Sequence, residues 1–164
     1  MNNSSAKSIA LSGVLAALAI VIMCLGGMIP IATYICPMLC ALICFFVLRL
    51  CGRRIAWVWY AAVSLLCVLV GPDKEAALVF LFLGYYPIIK RWLDAKRLSL
   101  LWKALLFNSS VALIYLLQIF ILGISSSAAE FQGIGMLWLI LLLLLGNTTF
   151  FLLDRLLNML TRKY

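Results

Sequence analysis

The sequence predicts an all-α integral membrane protein, folded as a single bundle of six transmembrane helices. Of its 164 residues, 67% are apolar and 11% are charged, and the mean hydropathy is +1.20. A soluble domain is about half apolar and about a quarter charged. The apolar residues also fall into six runs, most of them close to the roughly 20 residues that a membrane-spanning helix needs. This composition excludes a water-soluble globular fold, a disordered chain and a nucleic-acid-binding protein.

The six apolar runs are expected to form one domain over residues 1–164, because no repeat and no long linker divides them. The predicted spans are residues 9–29, 32–50, 55–70, 75–89, 101–124 and 135–156. The fourth run contains the sequence Gly-Tyr-Tyr-Pro at residues 84–87. Because Pro87 has no backbone N–H to donate, we expect the helix to kink or end there.

The basic residues predict the orientation of the spans. With six spans, all thirteen Lys and Arg residues except Lys74 fall on the side that also holds both termini. Cytoplasmic loops are enriched in Lys and Arg, so both termini are predicted to be cytoplasmic and the chain to be a multi-pass protein of the cell membrane. The net charge of +8 is interpreted as this topology signal, accompanied by contact with anionic membrane lipid.

Small residues form two separate stripes along the first span, at about 100° of rotation per residue. One stripe consists of Ala6, Ala10, Gly13 and Ala17, and the other of Ser8, Ser12, Ala16 and Ala19. Small residues spaced by four allow helix backbones to approach closely in lipid. The two stripes therefore predict two packing partners, which are either both within this chain or divided between this chain and another membrane subunit.

Neither a catalytic centre nor an energy source is evident. The chain has no histidine, no charged residue in the middle of a span, no Walker A motif and no nucleophile–histidine pair. Three of the six cysteines, Cys36, Cys40 and Cys44, share a helix face without a CxxC pair, which favours apolar packing over a metal site. The sequence predicts no enzyme activity, no metal and no cofactor. The alternative of a membrane enzyme would depend on the outer carboxylates of Asp73 and Glu75.

Polar and aromatic residues at the outer ends of the spans are the candidates for ligand binding. They are Tyr34, Asp73, Glu75, Gln118, Glu130 and Gln132. Tyr34 is expected in a covering loop, whereas Asp73 and Glu75 suit equally the capping of the fourth span. The outer side holds three acidic residues and one lysine, which favours a neutral or cationic ligand. In the inner half, Asn108 and Asn147 are predicted at similar depth and able to hydrogen-bond to each other.

Two segments carry a resemblance to a known family. Residues 7–22 read KSIALSGVLAALAIVI and residues 146–160 read GNTTFFLLDRLLNML. With the six-span topology, they resemble the first and last helices of the substrate-binding S component of energy-coupling factor (ECF) transporters. The resemblance implies capture of a vitamin-like organic molecule from outside, energised by a T component and two cytosolic ATPases. Its docking pair maps onto Gly13 and Ala17, or onto Ser12 and Ala16. Branches that handle nickel or cobalt use N-terminal histidines, so an organic substrate is implied.

A second class of function remains open from the sequence. Structural membrane proteins of the cell-shape or division machinery, in the manner of MreD-like proteins, are also small and polytopic. A scaffold of that kind would bind cytoskeletal partners, whereas an S component would bind a T component and ATPases. The partners therefore distinguish the two hypotheses.

Overall fold

The structure, a computed structural model, describes residues 3–26, 32–121 and 136–163, and within these ranges every regular element is an α-helix. The described residues form seven helices: α1 (Asn3–Gly26), α2 (Ala32–Cys51), α3 (Arg53–Val70), α4 (Lys74–Leu83), α5 (Tyr86–Asp94), α6 (Ser99–Ile121) and α7 (Met136–Lys163). The candidate ligand residues Glu130 and Gln132 lie outside the described residues.

Several helices are long and apolar enough to cross a membrane. They are Ala6–Gly26, Arg53–Val70 and the α4–α5 segment Lys74–Asp94, and Ile35–Cys51 and Ser99–Ile114 are shorter apolar helices. Large apolar side chains such as Val14, Val58 and Leu105 are exposed on them. Exposed apolar surface of this extent marks contact with lipid or with another protein. The fold is thus all-helical and consistent with a membrane protein.

The chain divides into two compact units, Met1–Arg97 and Leu98–Tyr164. In the first unit α2 is central, because α1, α3, α4 and α5 all pack against it. Its core is filled by apolar side chains and thiols, among them Cys40, Cys44, Val47, Val63 and Phe80. In the second unit, the described residues contain α6 and α7, which pack against each other. The single six-helix domain over residues 1–164 stays a prediction.

Short connections fix the directions of the helices in the first unit. Gly52 alone joins α2 to α3, with φ 89° and ψ 169°. This backbone region is almost exclusive to glycine, since a Cβ there is strained. Residues 71–73 join α3 to α4. Because successive helices are antiparallel, α2 and α4 begin at the same end of the unit, which the topology prediction places outside.

The predicted interruption of the fourth span is confirmed. Helix α4 ends at Leu83, and α5 begins at Tyr86, after the two intervening residues Gly84 and Tyr85. Gly84 donates its backbone N–H to the Phe80 carbonyl, and a Cβ on Gly84 would lie 2.6 Å from the Phe80 ring. The hydroxyl of Tyr60 donates to the carbonyl of Leu81 in the last turn of α4. The break therefore requires a glycine and receives a side-chain donor from α3.

The observed helices extend beyond several predicted spans. Helix α1 begins at Asn3 rather than residue 9, and α7 continues to Lys163 rather than ending at residue 156. Hydropathy detects only the apolar part of a helix, whereas the backbone hydrogen bonds continue through polar residues into water. Helix α2 begins at Ala32, as the predicted second span does, and Tyr34 lies in its first turn, so the expectation of a covering loop at Tyr34 is wrong.

Candidate functional site

One of the two small-residue stripes on α1 packs inside the first unit. Ser8, Ser12 and Ala16 are half-buried and Ala19 is fully buried. Two thiols of α2 donate to carbonyls on this stripe, Cys51 to Ser8 and Cys40 to Ala19, each with an S···O distance of 3.4 Å. Ser12 donates to the carbonyl of Ile9 in its own helix, at 2.8 Å. This stripe is the contact surface between α1 and α2.

The other stripe is exposed along its whole length. Ala6, Ala10, Gly13 and Ala17 are all exposed, and no atom of the residues that the structure describes lies within 4 Å of where a Cβ on Gly13 would be. The exposed arc of α1 also has a second edge, formed by the large apolar residues Val14, Leu18, Val21 and Leu25. The exposed surface of α1 therefore has a narrow strip of small residues beside a broad strip of large ones.

The segment before α4 is a turn with its polar groups engaged in helix capping. The Asp73 carboxylate accepts from the Ala76 backbone N–H at 3.0 Å, as an N-cap of α4, and Glu75 is in the first turn. The Lys74 Nζ donates to the Val68 carbonyl at 2.8 Å, at the C-terminal end of α3. Asp73 and Lys74 thus satisfy backbone groups of two different helices.

The structure brings some of the predicted ligand residues to one end of the first unit. Tyr34 lies in the first turn of α2, and Asp73 and Glu75 lie at the start of α4, which begins at the same end. Gln118 belongs to the second unit, near the end of α6. A convergence of these residues on one ligand stays a prediction.

The cysteines behave as small apolar residues of the core. Cys36, Cys40 and Cys44 are buried on one face of α2, and Cys67 is buried on α3. No group of three or more potential metal ligands is present among the residues that the structure describes. The predicted packing role of the α2 cysteines is confirmed by their burial and by the thiol contact from Cys40 to α1.

Two polar pairs join α6 to α7 in the second unit. The side-chain amides of Asn108 and Asn147 donate to each other, with N···O distances of 3.3 and 3.2 Å, as predicted from their depth. Between this pair and the next, the rings of Phe107 and Phe150 stack with centroids 5.0 Å apart. Gly146 allows this contact, since a Cβ there would lie 3.1 Å from the Phe107 ring.

The second polar pair was not predicted. The Lys103 Nζ lies 2.9 Å from the Asp154 Oδ2, and the two side chains are only 4% and 9% exposed. By sequence, Lys103 is one of the basic residues that indicate topology, near the start of the predicted fifth span; the structure places it within α6 and buries it. The available signal was the antiparallel arrangement, because a lysine early in one span meets an aspartate late in the next.

Four aromatic rings surround the break between α4 and α5. The Tyr60 ring lies 5.8 Å from Tyr85, 5.9 Å from Phe80 and 6.0 Å from Trp57, measured between centroids. Trp57 and Tyr85 are nearly parallel, with an interplanar angle of 18°. Distances and angles of this kind are typical of direct aromatic packing. The cluster therefore holds α3 against the broken helix.

Comparisons of the chain with known proteins find no match. No protein-family model, no curated protein and no solved structure matches the chain.

We expect that removing one partner of the Lys103–Asp154 pair will strongly destabilise the second unit. Asp154→Leu leaves the ammonium of Lys103 buried without its carboxylate, which costs about 3–5 kcal/mol for a buried pair. The combined change Lys103→Met with Asp154→Leu should recover most of that loss. The measurement is the free energy of unfolding in a denaturing-detergent titration. The control Arg155→Leu removes a neighbouring exposed charge and should change stability by about 0.5 kcal/mol or less. Equal effects of Asp154→Leu and Arg155→Leu would contradict the assignment.

Proposed function

We propose that this chain is a six-span protein of the cell membrane with both termini in the cytoplasm, and that it is the substrate-capture S component of an ECF-type transporter. In this role it binds a vitamin-like organic micronutrient from outside. A T component and two cytosolic ATPases then supply the energy for uptake.

The observation that supports this proposal most directly is the exposed small-residue strip on α1. The other small-residue stripe, formed by Ser8, Ser12, Ala16 and Ala19, packs against α2. Contact with lipid alone does not require small side chains, since Val and Leu serve it on the other exposed edge of α1. A strip of Ala and Gly instead permits close approach of another helix backbone. Between the two docking pairs that the resemblance implies, the exposure favours Gly13 and Ala17 over Ser12 and Ala16.

The substrate site is proposed at the outer end of the helices. Tyr34, Asp73 and Glu75 lie at the shared end of α2 and α4, and the proposal adds Gln118, Glu130 and Gln132 from the later spans. Binding sites for small molecules combine apolar walls with a few oriented polar groups. The excess of carboxylates on the outer side favours a neutral or cationic ligand over an anionic one.

The proposed topology predicts opposite reporter signals from two fusion sites. A reporter fused after Lys163 should be active in the cytoplasm, and one inserted at Ser126 should be active outside. The physical reason is the placement of twelve basic residues on the inner side, against Lys74 alone on the outer side. The measurement pairs a reporter active only in the cytoplasm with one active only outside it. The reverse pattern at the two sites would reject the topology.

Gly13→Leu and Ala17→Leu should each prevent docking without unfolding the chain. Both positions are exposed, and a Cβ on Gly13 would meet no atom within 4 Å among the described residues. We expect co-purification of a co-expressed T component and its ATPases to fall by about ten-fold or more, because bulk is added where helix backbones must meet.

The matched controls are Val14→Leu and Val21→Leu, which add bulk on the large-residue edge of the same helix and should leave co-purification unchanged. Monodisperse elution of all four variants establishes that they are folded. A complete transporter complex with Gly13→Leu and Ala17→Leu would reject the docking strip. Recovery of a cytoskeletal partner in place of ATPases would favour the MreD-like scaffold.

Tyr34→Ala and Gln118→Leu should each reduce retention of the native ligand. The sequence does not predict a capping role for either residue, so a loss of retention points to the ligand rather than to the helix. Native mass spectrometry of the purified protein measures the retained small molecule and its occupancy. Unchanged occupancy in both variants, at wild-type expression, would place the substrate elsewhere.

A further inference from the structure

The C-terminal end of α5 concentrates positive charge at one place on the first unit. Residues 90–97 read KRWLDAKR and contain four basic residues and one acidic residue. By the proposed topology this segment lies where the fourth span reaches the inner membrane surface. The general attraction of a basic inner surface for lipid is spread over all such residues, whereas this cluster is local.

The structure divides these charged residues into a buried pair and an exposed group. Lys90 is 5% exposed, and its Nζ lies 3.5 Å from the Asp94 Oδ2 and 5.7 Å from the centre of the Tyr86 ring. The acidic residue of the segment is therefore turned to the buried lysine. Arg91 and Arg97 are exposed at the surface of the unit.

An exposed tryptophan lies among the exposed basic residues. Trp92 is 60% exposed, and the Lys96 Nζ lies 3.9 Å from the centre of its ring. This cation–π contact holds an ammonium against the indole between the two arginines in sequence. Tryptophan prefers the level of the lipid headgroups, where its apolar body and its N–H are both accommodated.

We propose that Arg91, Trp92, Lys96 and Arg97 form a binding surface for the headgroup of an anionic phospholipid. An arginine guanidinium group matches the oxygen geometry of a phosphate, to which it donates in a bidentate manner, and the segment offers two of them. The indole of Trp92 lies at the boundary between headgroup and acyl chain. An acidic protein surface would satisfy the charges as well, but it would not explain a large exposed indole between them. This inference is independent of transport and needs only that the end of α5 lies at a membrane surface.

The proposal is tested on the full chain with phosphatidylglycerol and phosphatidylcholine as probes. Native mass spectrometry of the protein in detergent measures how many molecules of each lipid stay bound during titration. We expect phosphatidylglycerol to bind preferentially. Arg91→Gln combined with Arg97→Gln should weaken that binding by about ten-fold or more, because each basic residue near an anionic surface adds several-fold to the affinity.

The matched control is Arg53→Gln combined with Arg54→Gln, which removes two exposed charges from the start of α3 on the same side. It should weaken phosphatidylglycerol binding much less than the α5 pair does. Equal weakening by both pairs would reduce the effect to diffuse electrostatics, and no weakening by the α5 pair would place the lipid elsewhere. Either outcome overturns the proposal.

A second readout tests the role of the indole. In nanodiscs that contain brominated phosphatidylglycerol, bromine should quench tryptophan fluorescence. The quenched signal should be smaller in Trp92→Phe than in the wild type, and the difference is the contribution of Trp92. The same amount of brominated phosphatidylcholine should quench Trp92 less. Equal quenching by the two lipids would contradict a headgroup-specific surface.

Discussion

The requirement that polar groups find partners within the chain governs this structure, because a bilayer core offers no water to hydrogen-bond them. Helices satisfy their own backbones, and hydroxyls inside them bond back to preceding carbonyls. Ser110 donates to Leu106 at 2.7 Å, and Thr148 donates to Leu144 at 2.7 Å. Within the described part of the chain, the indole Nε1 of Trp59 is the one buried side-chain nitrogen or oxygen without a hydrogen-bond partner.

The same requirement shapes the places where helices are interrupted or carry charge. At the end of α4, the Leu81 carbonyl receives the hydroxyl of Tyr60. Between α6 and α7, the ammonium of Lys103 meets the carboxylate of Asp154, and the amides of Asn108 and Asn147 donate to each other. A broken helix and an ion pair are therefore tolerated here because each polar group is matched by another.

Helix α1 shows how apolar surface is allocated once backbone polarity is satisfied. In lipid, the fit between surfaces replaces the hydrophobic effect as the force that joins helices. Three kinds of surface lie around α1: a packed strip against α2, a large-residue edge suited to lipid, and an open strip of Ala and Gly. The open strip is where the proposed transporter would join its partner. The basic end of α5 is a further exposed surface, and its proposed ligand is a lipid headgroup.

Much of the architecture follows from the sequence alone, since the length of an apolar run and the position of a glycine–proline motif are local properties. The helical class, the start of α2 at Ala32 and the interruption after Leu83 belong to this group. The mutual depth of Asn108 and Asn147 was also readable, because antiparallel neighbours of known length fix the level of each residue.

Other features depended on rotation of the helices about their axes, which hydropathy does not determine. The sequence showed two small-residue stripes on α1, but only the packing of Cys40 and Cys51 against one of them left the other exposed. Likewise, a lysine close to a span boundary has the same sequence signature whether it faces water or a carboxylate. The burial of Lys103 against Asp154 was decided by the tertiary structure, because an ion pair forms only where two helices turn both charges inward at the same level.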